Sequence, residues 1–72
     1  MVNIDKLKAK IIENGITVEV LAEKLNMNRA TLYRKIQGKG DSFKIKEADN
    51  IAKELKLSGK EASEIFFSQY VA

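Results

Sequence analysis

The chain has 72 residues, of which 44% are apolar and 32% charged, and its 13 basic and 10 acidic side chains give a net charge of +3. This is the size and balance of one small folded domain, spanning residues 1–72. Cysteine, histidine, tryptophan and proline are absent, which excludes disulfides, Cys/His zinc sites and a serine-histidine-aspartate triad. We therefore expect no enzyme, no metal site and no cofactor.

The sequence contains no candidate membrane span. Its longest unbroken apolar runs are three residues, whereas a transmembrane helix needs ~20. The first ten residues carry Asp5 and three lysines, so the N-terminus lacks the apolar region of a signal peptide. We expect a cytoplasmic protein, whose small core would gain stability from dimerisation.

Apolar spacing and capping residues predict the first two helices. The first runs from about Ile4 to Asn14 after the N-cap residue Asn3, and Gly15 ends it because glycine adopts left-handed backbone without strain. The second runs from about Val18 to Leu25 after the N-cap residue Thr17. Each helix has one apolar stripe, formed by Ile4, Leu7 and Ile11 in the first and by Leu21, Ala22 and Leu25 in the second.

The same reasoning predicts a third and a fourth helix. The third runs from about Arg29 to Gln37, with Asn28 as N-cap and Gly38 after its end. The fourth covers about Ile45 to Lys56, and we expect Phe43 to pack in the core just before it. The inward residues are Leu32 and Ile36 in the third helix and Ile45, Ala48, Ile51, Ala52 and Leu55 in the fourth.

The fifth predicted helix runs from about Gly59 to Phe67. Ser58 and Glu61 have the spacing of a capping box at its start. For residues 68–72 the sequence leaves three alternatives open, which are frayed chain, a longer helix and a short strand. Five helices with short connections and no alternating apolar pattern predict an all-α domain.

About three residues, Asn26 to Asn28, separate the second helix from the third, which is typical of a helix-turn-helix motif over residues 18–38. Ala22 is the small residue that two crossing helices need, and Asn26 tolerates the left-handed backbone of the turn. The apolar residues that flank the turn and line its inner side are Leu21, Leu25, Met27 and Leu32.

The stretch from Val18 to Gly38, VEVLAEKLNMNRATLYRKIQG, resembles the Cro/repressor-type helix-turn-helix family of phage and bacterial regulators. The other three helices fit the compact five-helix bundle of that family. The resemblance implies a transcriptional regulator of a phage or prophage switch, acting in the bacterial host cell. It also implies a partly palindromic double-stranded DNA operator, bound by a homodimer with the third helix in the major groove. Because 72 residues leave no room for a separate sensing domain, we expect a Cro-like regulator.

The resemblance assigns three sets of contacts, residue by residue. The residues expected at base edges are Asn28, Arg29, Ala30, Tyr33 and Arg34. The residues expected at DNA phosphates are Thr17, Gln37, Lys39 and Lys44. Adjacent phenylalanines on one helix cannot both face a small core, and the residues expected at the dimer interface are Ile65, Phe66, Phe67, Tyr70 and Val71.

The charge distribution also favours DNA binding. Five basic residues and no acidic residue lie between Lys24 and Gly40, which leaves eight basic and ten acidic residues elsewhere. The positive charge is therefore concentrated around the third helix, as a phosphate-binding surface requires.

Three positions depart from the family pattern. Val18 and Val20 stand where the family often has glutamine and glutamate, and we expect both to be partly exposed. Lys35 stands where an apolar residue is usual, and we expect it to bury only its aliphatic stem while Ile36 takes the core position. We expect these departures to leave the fold unchanged and to alter the set of contacts with DNA.

An alternative function uses the same fold on a protein partner. As an antirepressor or modulator, the chain would bind a phage repressor through Val18, Val20 and Tyr33, because apolar and aromatic anchors dominate protein interfaces. Salt dependence separates the two functions, since phosphate binding weakens steeply with salt and an apolar interface barely responds.

Overall fold

The computed structural model describes residues 2–38 and 42–67. The five predicted helices are α1 (Ile4–Glu13), α2 (Val18–Lys24), α3 (Arg29–Ile36), α4 (Ile45–Glu54) and α5 (Gly59–Phe66). Each begins at its predicted residue and ends one or two residues earlier than predicted. Within the described ranges there is no strand, and no helix is long and apolar enough to cross a membrane. The all-α prediction is confirmed, whereas the alternatives for residues 68–72 lie outside the described residues.

Capping side chains explain where most of the helices start. Each predicted cap accepts a hydrogen bond from a backbone N–H in the first turn of its helix, at distances of 2.8 to 3.2 Å, and these caps are Asn3, Thr17, Asn28 and Ser58. At α5 the Glu61 carboxylate accepts in return from the backbone N–H of Ser58 at 3.0 Å. The predicted capping box is therefore confirmed.

Left-handed backbone makes the turns between the helices. Gly15 and Asn26 have φ angles of 68° and 54°, as predicted. Lys56 also has a φ of 55°, which no sequence pattern predicted. The Leu57 N–H donates to the carbonyl of Ala52 at 2.9 Å, and this bond closes the C-terminal end of α4 over the strained residue.

One core unites the five helices. Its buried apolar residues are Leu7, Ile11, Leu21, Ala22, Leu32, Ile36, Ala48, Ile51, Leu55, Ile65 and Phe66. Phe43 packs edge to face on Phe66 with ring centroids 5.6 Å apart, as expected for a core residue ahead of α4. The prediction that Ile45 faces inward is wrong, because Ile45 is 80% exposed. It lies about 120° around α4 from the buried Ile51.

A buried ion pair joins α3 to α4. Lys35 is 7% exposed, and its Nζ lies 2.6 Å from Glu47 Oε1. The prediction that Lys35 buries only its stem is therefore wrong, because Glu47 brings a counter-charge to the ammonium inside the domain. The same oxygen accepts from the backbone N–H of Lys44 at 2.9 Å. Burial raises the pKa of Glu47, but these hydrogen bonds and the nearby positive charges outweigh burial and hold that pKa below its usual value.

Backbone and side-chain contacts also join α1 to α5. The Asn3 N–H donates to the carbonyl of Ile65 at 2.7 Å. Lys10 pairs with Glu61, the residue that completes the capping box of α5. The hydrogen bonds that Glu61 accepts from Lys10 and from the backbone of Ser58 lower the pKa of this carboxyl to about 2.

We expect Lys35→Met to lower the free energy of unfolding by about 1–3 kcal/mol, because the half-buried Glu47 carboxylate loses its cation while the core keeps its volume. Urea unfolding followed by circular dichroism measures this change. Lys53→Met is the matched control, since Lys53 pairs with Asp49 at 3.1 Å where both side chains are well solvated, and it should leave stability almost unchanged. Equal losses in the two variants would contradict a special role for the buried pair.

We expect acid to destabilise the domain partly through Glu61. A carboxyl with a lower pKa in the folded chain stabilises the fold above its unfolded pKa, and this contribution is lost as the pH falls through the folded pKa. For Glu61 the interval runs from the ordinary pKa of 4.5 down to about 2.

Glu61→Gln keeps an acceptor for the Ser58 cap and should therefore flatten the fall of Tm across that interval. The matched control is Glu54→Gln, on the exposed surface of α4, which should keep the wild-type profile. A Glu61→Gln profile that follows the wild type would refute the assignment.

Candidate nucleic-acid interface

The turn between α2 and α3 is bonded back to a small, buried residue. Ala22 is 2% exposed, and its carbonyl accepts from the Met27 N–H at 2.9 Å, so the turn folds directly back on α2. Asn26 makes this turn in left-handed backbone. Leu21 of α2 and Leu32 of α3 are both fully buried in the core. Close packing on this side fixes the orientation of α3.

The opposite side of α3 is exposed and carries positive charge. At 3.6 residues per turn, its exposed side chains fall within an arc of about 140°, and they are Arg29, Ala30, Tyr33, Arg34 and Gln37. The buried residues of α3 lie outside this arc and are Leu32, Lys35 and Ile36. The structure thus gathers on one surface, which we call the α3 face, the residues of this helix that the sequence assigned to base edges.

Asn28 lies at the N-terminal end of the α3 face. Its Oδ1 accepts from the backbone N–H groups of Ala30 and Thr31, at 2.8 and 3.2 Å. The carbonyl oxygen is therefore committed to the cap, and the side-chain amide nitrogen is the donor that Asn28 can offer to a ligand.

Glu19 of α2 is a member of this surface that sequence reasoning missed. Its Oε2 accepts a hydrogen bond from the Tyr33 hydroxyl at 2.7 Å. That hydrogen bond is the main cause that lowers the pKa of Glu19, and the positive charge of Arg29 acts in the same direction. The same bond raises the pKa of Tyr33. At neutral pH the contact therefore joins a carboxylate to an un-ionised phenol.

A comparison with protein families matches the description Cro/C1-type HTH DNA-binding domain over residues 6–65. The chain belongs to this family. A search of curated proteins and a search of solved structures each found no match. The family assignment confirms the resemblance read from the motif and makes the chain a DNA-binding regulator, not an enzyme.

Three residues that the sequence assigned to DNA phosphates are described in this Cro/C1-type domain, and all three are exposed. Thr17 is the N-cap of α2 and Gln37 is the C-cap of α3, and both are exposed. Lys44 is exposed at the start of α4, and Lys46 near it is exposed as well. Lys44 and Lys46 line one depression with residues 25–27 of the motif's turn. Lys39 lies outside the described residues.

The residues assigned to the dimer interface differ in their exposure. Ile65 and Phe66 are 0% and 7% exposed in the core of a single chain. Their assignment to a surface contact is therefore wrong, because both side chains already pack within the domain. Phe67 is 40% exposed, so the expectation that one of the two phenylalanines reaches the surface is confirmed. Tyr70 and Val71 lie outside the described residues.

The side chains of the α3 face can bind a ligand through hydrogen bonds and charge. Arginine, amide and hydroxyl groups can form hydrogen bonds to base edges and phosphates. The described residues contain no group of three or more histidine, cysteine, aspartate or glutamate side chains that could hold a metal ion. Val18 and Val20 are half-buried in the first turn of α2, in agreement with the expectation of partial exposure.

Proposed function

We propose that the protein is a sequence-specific transcriptional regulator that inserts α3 into the major groove of an operator. The observation that carries this proposal is the α3 face, where Arg29, Tyr33 and Arg34 are exposed on a helix whose other side is buried. An α-helix fits the major groove of B-DNA, where each base pair presents a distinct pattern of donors and acceptors.

The proposal gives distinct roles to the residues of the α3 face. Arg29 and Arg34 each fork onto O6 and N7 of a guanine, the commonest specific contact in the major groove. Ala30 contacts a thymine methyl group, and the amide nitrogen of Asn28 donates to a base or a phosphate. Tyr33 reaches a base edge between the two arginines.

Phosphates bind at the edges of the α3 face in this proposal. Thr17, Gln37 and Lys44 mark the start of α2, the end of α3 and the start of α4, so they contact backbone on both sides of the groove. Lys46 adds a cation beside Lys44. Lys39 belongs to this set on the sequence resemblance.

We infer that two copies bind a partly palindromic site. One domain of this kind buries only ~600–1,000 Å² on DNA, which limits the affinity of a single copy. The exposed Phe67 supports an interface at the end of α5, because an unpartnered aromatic side chain gains from burial. Occupancy of promoter DNA then controls transcription, in a phage or prophage switch of the Cro-like kind.

Selection of binding sites from a random duplex pool tests the proposal. The wild-type protein should enrich one motif with dyad symmetry, and half-sites spaced by whole helical turns would support the dimer. Arg29→Ala should weaken binding to that motif by about 1–3 kcal/mol and relax specificity at one base position. Lys8→Ala, which removes an exposed cation from α1, is the control and should leave the motif unchanged. If the wild type enriches no motif, the proposed function is wrong.

We expect Lys44→Ala to weaken binding to all sequences about equally, because a phosphate contact carries no base information. The slope of log K against log salt should become shallower by about one unit. Fluorescence anisotropy with a labelled duplex at several salt concentrations measures both quantities. An unchanged slope would remove Lys44 from the interface.

The same titration tests the antirepressor alternative. That function relies on Val18 and Val20, which are half-buried, and on Tyr33, whose hydroxyl is already bonded to Glu19. The cationic α3 face therefore favours DNA over a protein partner. Weak, sequence-independent DNA binding together with salt-insensitive capture of a repressor would reverse this preference.

A further inference from the structure

We propose that Glu19 sets the base preference of Tyr33. By holding the phenol proton, Glu19 makes the Tyr33 hydroxyl an acceptor toward DNA, and this hydroxyl then selects a base that presents an amino group in the major groove. The inference rests on the proposed function, because it takes the α3 face to lie against base edges.

The hydrogen bond fixes the direction of the phenol proton. A tyrosine hydroxyl has one proton to donate and lone pairs that accept, whereas a carboxylate can only accept. Because the Tyr33 hydroxyl lies 2.7 Å from Glu19 Oε2, its proton points back toward α2. The lone pairs remain available, and Tyr33 is 36% exposed on the α3 face. Toward a ligand, Tyr33 is therefore an acceptor.

An acceptor discriminates among bases by their exocyclic groups. In the major groove, adenine presents its N6 amino group and cytosine its N4 amino group, whereas guanine and thymine present the keto oxygens O6 and O4. The Tyr33 hydroxyl can bond to either amino group and is repelled by either keto oxygen. Glu19 thereby controls recognition at a base that need not touch Glu19 itself.

The same carboxylate affects binding to every sequence. The positive charge of Arg29 acts on the Glu19 carboxylate, so the two side chains lie within electrostatic reach of each other. The negative charge of Glu19 opposes the approach of phosphates. Its charge reduces affinity in general, while its hydrogen bond directs the preference of Tyr33. These two effects can be separated by substitution, because only the second passes through Tyr33.

Three variants separate the effects. Glu19→Ala removes the charge and the hydrogen bond, Tyr33→Phe removes the hydroxyl alone, and Glu23→Ala is the matched control. Glu23 is an exposed acid one turn further along α2, and Tyr33 donates its hydroxyl proton to Glu19 and not to Glu23. Circular dichroism and Tm confirm that each variant folds before binding is compared.

A selection with Tyr33→Phe first identifies the position of the motif at which the base preference changes. The affinity is then measured for four duplexes that differ only in the base at this position. The wild type should prefer the amino-bearing bases over the keto-bearing bases by about fivefold, the ratio expected for one hydrogen bond. Glu19→Ala should raise affinity for all four duplexes and bring this ratio close to one, because the freed hydroxyl can donate or accept. Glu23→Ala should raise affinity and keep the ratio.

The double variant Glu19→Ala/Tyr33→Phe gives the decisive comparison. In the Tyr33→Phe background, removal of Glu19 should still raise general affinity but should no longer change the ratio. The inference is overturned if Glu19→Ala keeps the wild-type preference for amino-bearing bases, or if the wild type has no preference at this position. In either case the proposed function stands. A wild type that selects no motif would overturn both.

Discussion

The rest of the domain depends on the tight turn that joins α2 to α3 and is bonded back to Ala22. Ala22 is buried in the core, and the left-handed backbone of Asn26 lets the chain reverse within three residues. The Met27 N–H then bonds to the carbonyl of Ala22, so the turn adds a hydrogen bond to the packing contact. Held in this way, α3 presents its outer side in a fixed orientation, and binding a ligand there demands little further loss of conformational freedom.

The Lys35–Glu47 pair extends this rigidity to the other end of α3. Glu47 accepts from the Lys35 ammonium and from the Lys44 N–H, so one carboxylate fixes α3 against α4 and also starts α4. A buried ion pair adds little net stability, because desolvation of both charges offsets their attraction. Its contribution is to fix the position of α3 against α4. That position determines where Lys44 lies relative to the α3 face.

Features set by residues a few positions apart could be predicted from the sequence, and features set by distant residues could not. The caps and the turn at Asn26 depend on local spacing, and the motif built from them led to the family and the fold. The hydrogen bond from Tyr33 to Glu19 joins residues 14 positions apart. The pair of Lys35 with Glu47 joins residues 12 positions apart. In both cases the partner lies on another helix, and one-dimensional spacing does not specify how two helices are rotated against each other.

A count of charges along the sequence also misses an acidic side chain next to α3. A count from Lys24 to Gly40 finds no acid, yet the surface that contains α3 includes the carboxylate of Glu19, contributed by the preceding helix. An acid on a DNA-binding surface reduces attraction to phosphates, so its presence there calls for a gain in selectivity that offsets the loss. The hydrogen bond to Tyr33 supplies a physical basis for such a gain, because it removes the ambiguity of a hydroxyl that could otherwise donate or accept. In the proposed complex the lysines therefore attract the phosphates, whereas the arginines and the Glu19–Tyr33 pair select bases.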